Sequence, residues 1–126
     1  MALAKSSLGF PVQVSPGNTT TIYTVASSKK AFIRTILIYH NREGGTSTLN
    51  QIAKVYVVPN SSGSAGTASD ADCIGRVTLA PDDTLFFEMQ YPITLENNGD
   101  TIQVENDNST GSTSKLNVMV LGDKES

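Results

Sequence analysis

The chain is punctuated too often to be helical. Apolar and polar residues alternate over short runs, and each run ends in a cluster of Gly, Pro, Asn, Asp or Ser. Asp82-Asp83-Thr84-Leu85 and Gly99-Asp100-Thr101-Ile102 open two of these runs in nearly the same way. No stretch holds an apolar stripe at the helical period. A period of two with closely spaced turns predicts an all-β chain, an antiparallel β-sandwich of jelly-roll-like type with about eight strands.

The 126 residues suit one domain. A domain of that size removes roughly two-thirds of its unfolded surface from water, so it can hold a core without covalent staples. Only 17% of residues are charged, and Ser, Thr, Asn and Gly take up the difference. That composition fits pleated surfaces and turns. The net charge of −3 argues against a nucleic-acid binder, which needs a basic field. Charge is uneven along the chain. Residues 1–60 carry six bases and one acid, a net +5; residues 61–126 carry three bases and eleven acids, a net −8. Copies could meet head to tail on this asymmetry, but strands that interleave in the sheets would cancel it, and the second outcome is expected.

Residues 1–18 read as an extended N-terminal arm, 19–122 as the β-sandwich and 123–126 as a tail. Gly9, Pro11, Pro16 and Gly17 break the arm, yet Leu3, Leu8, Phe10, Val12 and Val14 make it too apolar for a free tail. It lies either on its own sandwich or on a neighbour, and Val12-x-Val14 would suit addition to a sheet edge. Deleting it is expected to leave the sandwich folded and to weaken assembly. In the strand predicted over Ala31–His40, Phe32, Ile36 and Ile38 are expected on one face and Ile33, Leu37 and Tyr39 on the other. In Gln51–Val58, Ala53, Val55 and Val57 face inward, and Ile52, Lys54, Tyr56 and Val58 outward. Strands apolar on both faces need a second cover: the arm, a loop or another subunit. Pro59–Asp72 is a long loop of small residues, expected as a tip or contact loop. Thr84–Gln90 and Ile93–Leu95 are read as separate strands, parted near Pro92.

Candidate chemistry is thin. His40 is the sole histidine, with no Gly-x-Ser-x-Gly elbow, and a surface hydrogen bond is expected for it. Cys73 is alone, so no intrachain disulfide forms, and the nearby Asp70 and Asp72 oppose a thiolate. One Cys and one His make no usual zinc set. Asp70-x-Asp72, Asp82-Asp83 and Asn106-Asp107-Asn108 offer oxygens but lack EF-hand spacing and read as turn formers. Glu88 and Glu105 could serve a glycosidase only if a cleft joined them, and there is no Trp to stack a sugar. No catalytic residue, cofactor or metal is expected. Met1-Ala2-Leu3-Ala4-Lys5 lacks a signal-peptide core, so synthesis in a cytoplasm is expected, with no membrane partner.

Four segments carry a resemblance: Val25-Ala26-Ser27-Ser28-Lys29-Lys30-Ala31-Phe32-Ile33, Val55-Tyr56-Val57-Val58-Pro59, Leu79-Ala80-Pro81-Asp82-Asp83-Thr84-Leu85 and Gly99-Asp100-Thr101-Ile102-Gln103-Val104. Across Thr19–Gly122 the chain resembles small β-sandwich virion proteins of tailed bacteriophages. The resemblance implies a non-enzymatic capsid decoration (cement) protein. It would be a homo-oligomer, with a trimer favoured, bound to the major capsid protein or other virion proteins. A neck, tail or fibre-base component, or a glycan-binding adhesion module, is the alternative. The expected interface residues are Leu8, Phe10, Val12, Val14, Ile52, Tyr56 and Val58; each could equally pack within its own domain.

Overall fold

The computed structural model describes residues 3–42, 50–107 and 114–125, the side chains of 3–7 excepted. The loop tips read around Gly44-Gly45 and Asn108 lie outside the described residues. Nine strands form: β1 (Leu3–Ser7), β2 (Val12–Val14), β3 (Thr19–Thr24), β4 (Ala31–Asn41), β5 (Gln51–Val58), β6 (Cys73–Leu79), β7 (Thr84–Leu95), β8 (Thr101–Asn106) and β9 (Lys115–Glu125). One sheet has the order β1-β9-β4-β7, with β2 beside β1 on the same side of β9; the other has the order β3-β8-β5-β6. Because β1 and β2 share one position, the nine segments fill two four-stranded antiparallel sheets packed as a sandwich. The pairings β2–β9, β3–β8, β4–β7 and β5–β6 nest like one long hairpin folded over on itself. That nesting is the jelly-roll arrangement.

The core lies between the sheets. Ile36, Ile38, Leu116 and Val118 enter it from the first sheet, and Ala53, Val55, Ile102 and Val104 from the second. Phe87 crosses from β7 to β6, where a Cβ on Gly75 would stand 2.7 Å from its ring. The glycine leaves room for the aromatic.

β4 departs from the expected alternation. Its register with both neighbours shifts between Ile33 and Thr35. The bulge turns Arg34 out to solvent, so Ile33 and Ile36 both point into the core with no exposed surface. Phe32 and Leu37 consequently face outward. The bulge is held at β9 by Asp123, whose Oδ2 accepts from Arg34 Nε at 2.7 Å. Gly122 makes this fit possible, because a Cβ there would run into the Phe32 carbonyl oxygen.

The two pieces read around Pro92 are one strand. β7 pairs Glu88 with Thr35 and next pairs Ile93 with Ile33. Residues 89–92 bulge out between those points, leaving Tyr91 79% exposed. Proline is tolerated because β7 is an edge, where a missing N–H costs no ladder bond.

The N-terminal segment lies on its own sandwich. β1 pairs with Leu121–Glu125, and β2 pairs with Leu116–Val118. Between them Leu8 N–H donates to Val120 O at 3.0 Å. Leu8 and Val14 are core residues at 6% and 0% exposure.

The linear charge blocks cancel in space. Arg34–Asp123, Arg42–Asp82 and Lys54–Asp107 each join a base from the first half to an acid from the second. Each sheet also draws strands from both halves.

Candidate interaction surface

Part of the outer face of the second sheet is covered by the chain itself. Thr101 and Gln103 on β8, and Tyr56 and Val58 on β5, point away from the core yet are buried. The 59–72 loop folds over them. Gln103 Nε2 donates to Gly66 O at 3.0 Å and to Thr101 Oγ1 at 2.9 Å. Gly66 sits against Val58 and the Pro59 carbonyl so closely that a Cβ would overlap the latter. Small residues therefore let the loop lie flat, so of the two expected forms, a tip or a contact loop, the loop takes the second, its contact being with its own sheet. Its near end turns at Ser61–Ser64, with Ser62 and Gly63 both at positive φ. Its far end is a 3-10 turn, Asp70–Asp72, where Ser69 N–H donates to the Asp72 carboxylate at 3.1 Å.

Tyr56 donates to Glu105 Oε1 at 2.5 Å beneath this cover. Burial, the bond to Glu105 and that carboxylate's charge all push the phenol above its ordinary range. Lys54 sits beside it in β5. Its bond and attraction to Asp107, at 3.2 Å, raise the ammonium's pKa.

Among the described residues no strand lies over the outer face of the first sheet. The register sets Met119 of β9 opposite Leu37 of β4, and Leu37 opposite Phe86 of β7. The result is an apolar row straight across the sheet. Leu37 and Met119 are half-buried and Phe86 is 56% exposed. Tyr39 and Leu121 flank the row, both half-buried. Beyond Phe86 the sheet ends, and among the described residues no strand pairs with the free side of β7.

The seven expected interface residues fall into two groups. Leu8 and Val14 fill the core, and Tyr56 and Val58 lie beneath the chain's own loop. Their side chains are spent within the chain, the own-domain packing that was the alternative for each of them. Phe10 is 91% exposed in the turn between β1 and β2, while Val12 and Ile52 are half-buried. The structure does not gather these three. The row it does gather, Leu37, Phe86 and Met119, was hidden in the sequence by the β4 bulge. Until that bulge is known, Leu37 cannot be assigned to the solvent side. Alternation sets Leu85, Phe87 and Met89 on one face and so leaves Phe86 on the other, but it does not show what lies beside Phe86.

The chemical candidates disperse. His40 is fully buried rather than superficial. Its Nδ1 lies 3.1 Å from Leu79 O, so that nitrogen carries the proton, and its Nε2 meets no hydrogen-bond partner among the described residues. Cys73 is half-buried, its Sγ 3.5 Å from Gly75 O. Glu88 lies on the first sheet and Glu105 on the second, so no cleft joins them. Asp72, Asp82 and Asp107 are taken up by Ser69, Arg42 and Lys54. Among the described residues no group of three His, Cys, Asp or Glu converges as a metal site would require. No protein-family model matches the chain, and no curated protein matches it.

Proposed function

We propose that this protein is a non-enzymatic structural component of a tailed-bacteriophage virion, a capsid decoration protein that works by burying surface against its neighbours. The observation that carries this reading is the Met119–Leu37–Phe86 row. The jelly roll has already buried its inward apolar groups, and the 59–72 loop covers Tyr56, Val58 and Gln103 on the second sheet. On the outer face of the first sheet three large apolar side chains line up, and among the described residues no strand lies over them. A contiguous apolar row across a sheet face is a place for another protein. Each square ångström of apolar area buried there contributes about 25 cal/mol, less the cost of association. Repetition over many symmetric copies makes small contacts add up on a shell. The phage resemblance of the strand-turn segments supplies the kind of neighbour.

The test is pelleting of the purified chain with undecorated heads assembled from the capsid protein of the same genome. The chain co-pellets, and Met119→Glu abolishes binding while the monomer's fold is retained. A chain that ignores heads and binds a glycan array would replace this reading with the adhesion alternative.

A further inference from the structure

We propose that the free edge of β7 is a self-complementary seam, on which two copies of this chain pair antiparallel about Phe86 and merge their first sheets into one. His40 N–H donates to Asp83 O at 2.9 Å, and Asp82 N–H donates to His40 O at 3.2 Å. Backbone groups alternate in an antiparallel ladder. Leu85 and Phe87, opposite Ile38 and Ile36, therefore turn their N–H and C=O toward β4. Thr84, Phe86 and Glu88 turn theirs away, to the open side. The other flank of the sheet agrees: Val120, opposite Ile36, accepts from Leu8 and so points away from β4.

A twofold pairing centred on Phe86 uses those open groups in the correct phase. Phe86 meets the second copy's Phe86 as a hydrogen-bonded pair, and Thr84 meets the second copy's Glu88. Leu85 meets the second copy's Phe87 on the inward face. No like charges oppose one another. Shifting the centre loses this match. Centred on Leu85, Glu88 would face the second copy's Asp82; centred on Glu88, two carboxylates would meet; centred on Phe87, Phe86 would face a carboxylate. Residues facing each other across a ladder lie on the same side of a sheet. The Met119–Leu37–Phe86 row would thus continue through the second copy's Phe86, Leu37 and Met119, doubling the apolar strip without a break.

The other edges suit this poorly. β6 would set Arg76 against the second copy's Arg76 at its midpoint. β3 carries a register shift between Thr21 and Tyr23, which twists an edge away from pairing. The β1–β2 edge is interrupted by Gly9 and Pro11. On β7 itself, the bulge at 89–92 limits pairing to Thr84–Glu88.

This inference concerns the chain alone and does not rest on the virion reading. The experiment is sedimentation equilibrium of the full chain and three variants, with circular dichroism of each to verify its fold. Wild type gives twice the 13.4 kDa chain mass. Thr84→Pro deletes an N–H directed to the open side and costs no bond to β4, and Phe86→Lys places two ammonium groups face to face. Both variants become monomeric with unchanged spectra, while Ile74→Lys on β6 remains dimeric. A wild-type monomer, a trimer, or a dimer that survives both β7 substitutions overturns the proposal. A monomer that still decorates heads would overturn the seam and leave the proposed function standing.

Discussion

Asp100 and Asn60, forty residues apart, are joined twice: one carboxylate oxygen of Asp100 accepts from the Asn60 backbone N–H at 2.9 Å and from its side-chain amide at 3.0 Å. The other oxygen accepts from Asn97 N–H at 3.0 Å. One side chain thereby fixes both the β7–β8 turn and the root of the loop that covers part of the second sheet. Gly99, at φ +93°, completes the join, since a Cβ there would come within 2.7 Å of Ser64.

Asp100→Ala leaves these donors without their charged acceptor and lowers stability by about 1–3 kcal/mol at neutral pH, read from urea denaturation midpoints. The pH dependence has a definite sign. Partial burial raises the carboxyl pKa, but the bonds from Asn60 and the backbone N–H groups of Asn97 and Glu96 outweigh it, and the net value falls below 3.8. A depressed folded pKa contributes stability above the unfolded value and loses it as pH drops through the folded one. The wild-type advantage over Asp100→Ala is therefore full at neutral pH and shrinks only in acid below about pH 4. A gap that stays constant into strong acid would remove Asp100's charge from the account.

Gly122→Ala drives a methyl group into the Phe32 carbonyl beside the β4 bulge. Backbone cannot swing aside as a flexible side chain can. The expected loss is about 1–3 kcal/mol, in the range for overpacking, measured by thermal or urea unfolding. A neutral result would mean that the bulge can shift along β9.

Ser28 has φ +61° in the exposed turn closed by Lys29 N–H to Ala26 O at 3.2 Å. A left-handed residue with a Cβ costs about 1–2 kcal/mol, and the added chain entropy of glycine returns about half of that. Ser28→Gly raises stability by up to about 1 kcal/mol. A lower denaturation midpoint would show that the hydroxyl contributes more than the backbone loses.

Deleting residues 1–18 removes Leu8 and Val14 from the core, each worth about 1.5–3 kcal/mol of burial. It also bares the β9 edge and takes away the Val14 carbonyl that accepts from Asn106 Nδ2 at 3.3 Å. The truncated chain loses cooperative unfolding and near-ultraviolet dichroism. This replaces the expectation that the arm is dispensable to the fold. A sharp, reversible transition in the truncated chain would restore that expectation.

Much of the architecture was legible because alternation is local. Ala53, Val55, Ile102, Val104, Leu116, Val118 and Val120 occupy the core faces that their period of two implies. In β4 the same rule failed after Ile33, because one bulged residue reverses every later face and nothing around Arg34 announces it. His40 inherits the reversed face and is buried for that reason. Tyr56 and Val58 were placed on the correct side of β5, yet what covers them is a loop whose path depends on Gln103 and Asp100, distant in sequence. The exposed row could not be read at all, since it needs the register of three strands that are not consecutive.

The order of residues by itself determined that this chain forms short antiparallel strands joined by Gly, Asn, Asp and Pro turns, because side-chain alternation and turn conformation are set between near neighbours. Only the tertiary structure decided which apolar groups stay at the surface. That outcome depends on the register of β9, β4 and β7 and on where the 59–72 loop comes to rest, and both are fixed by contacts between residues far apart in the chain.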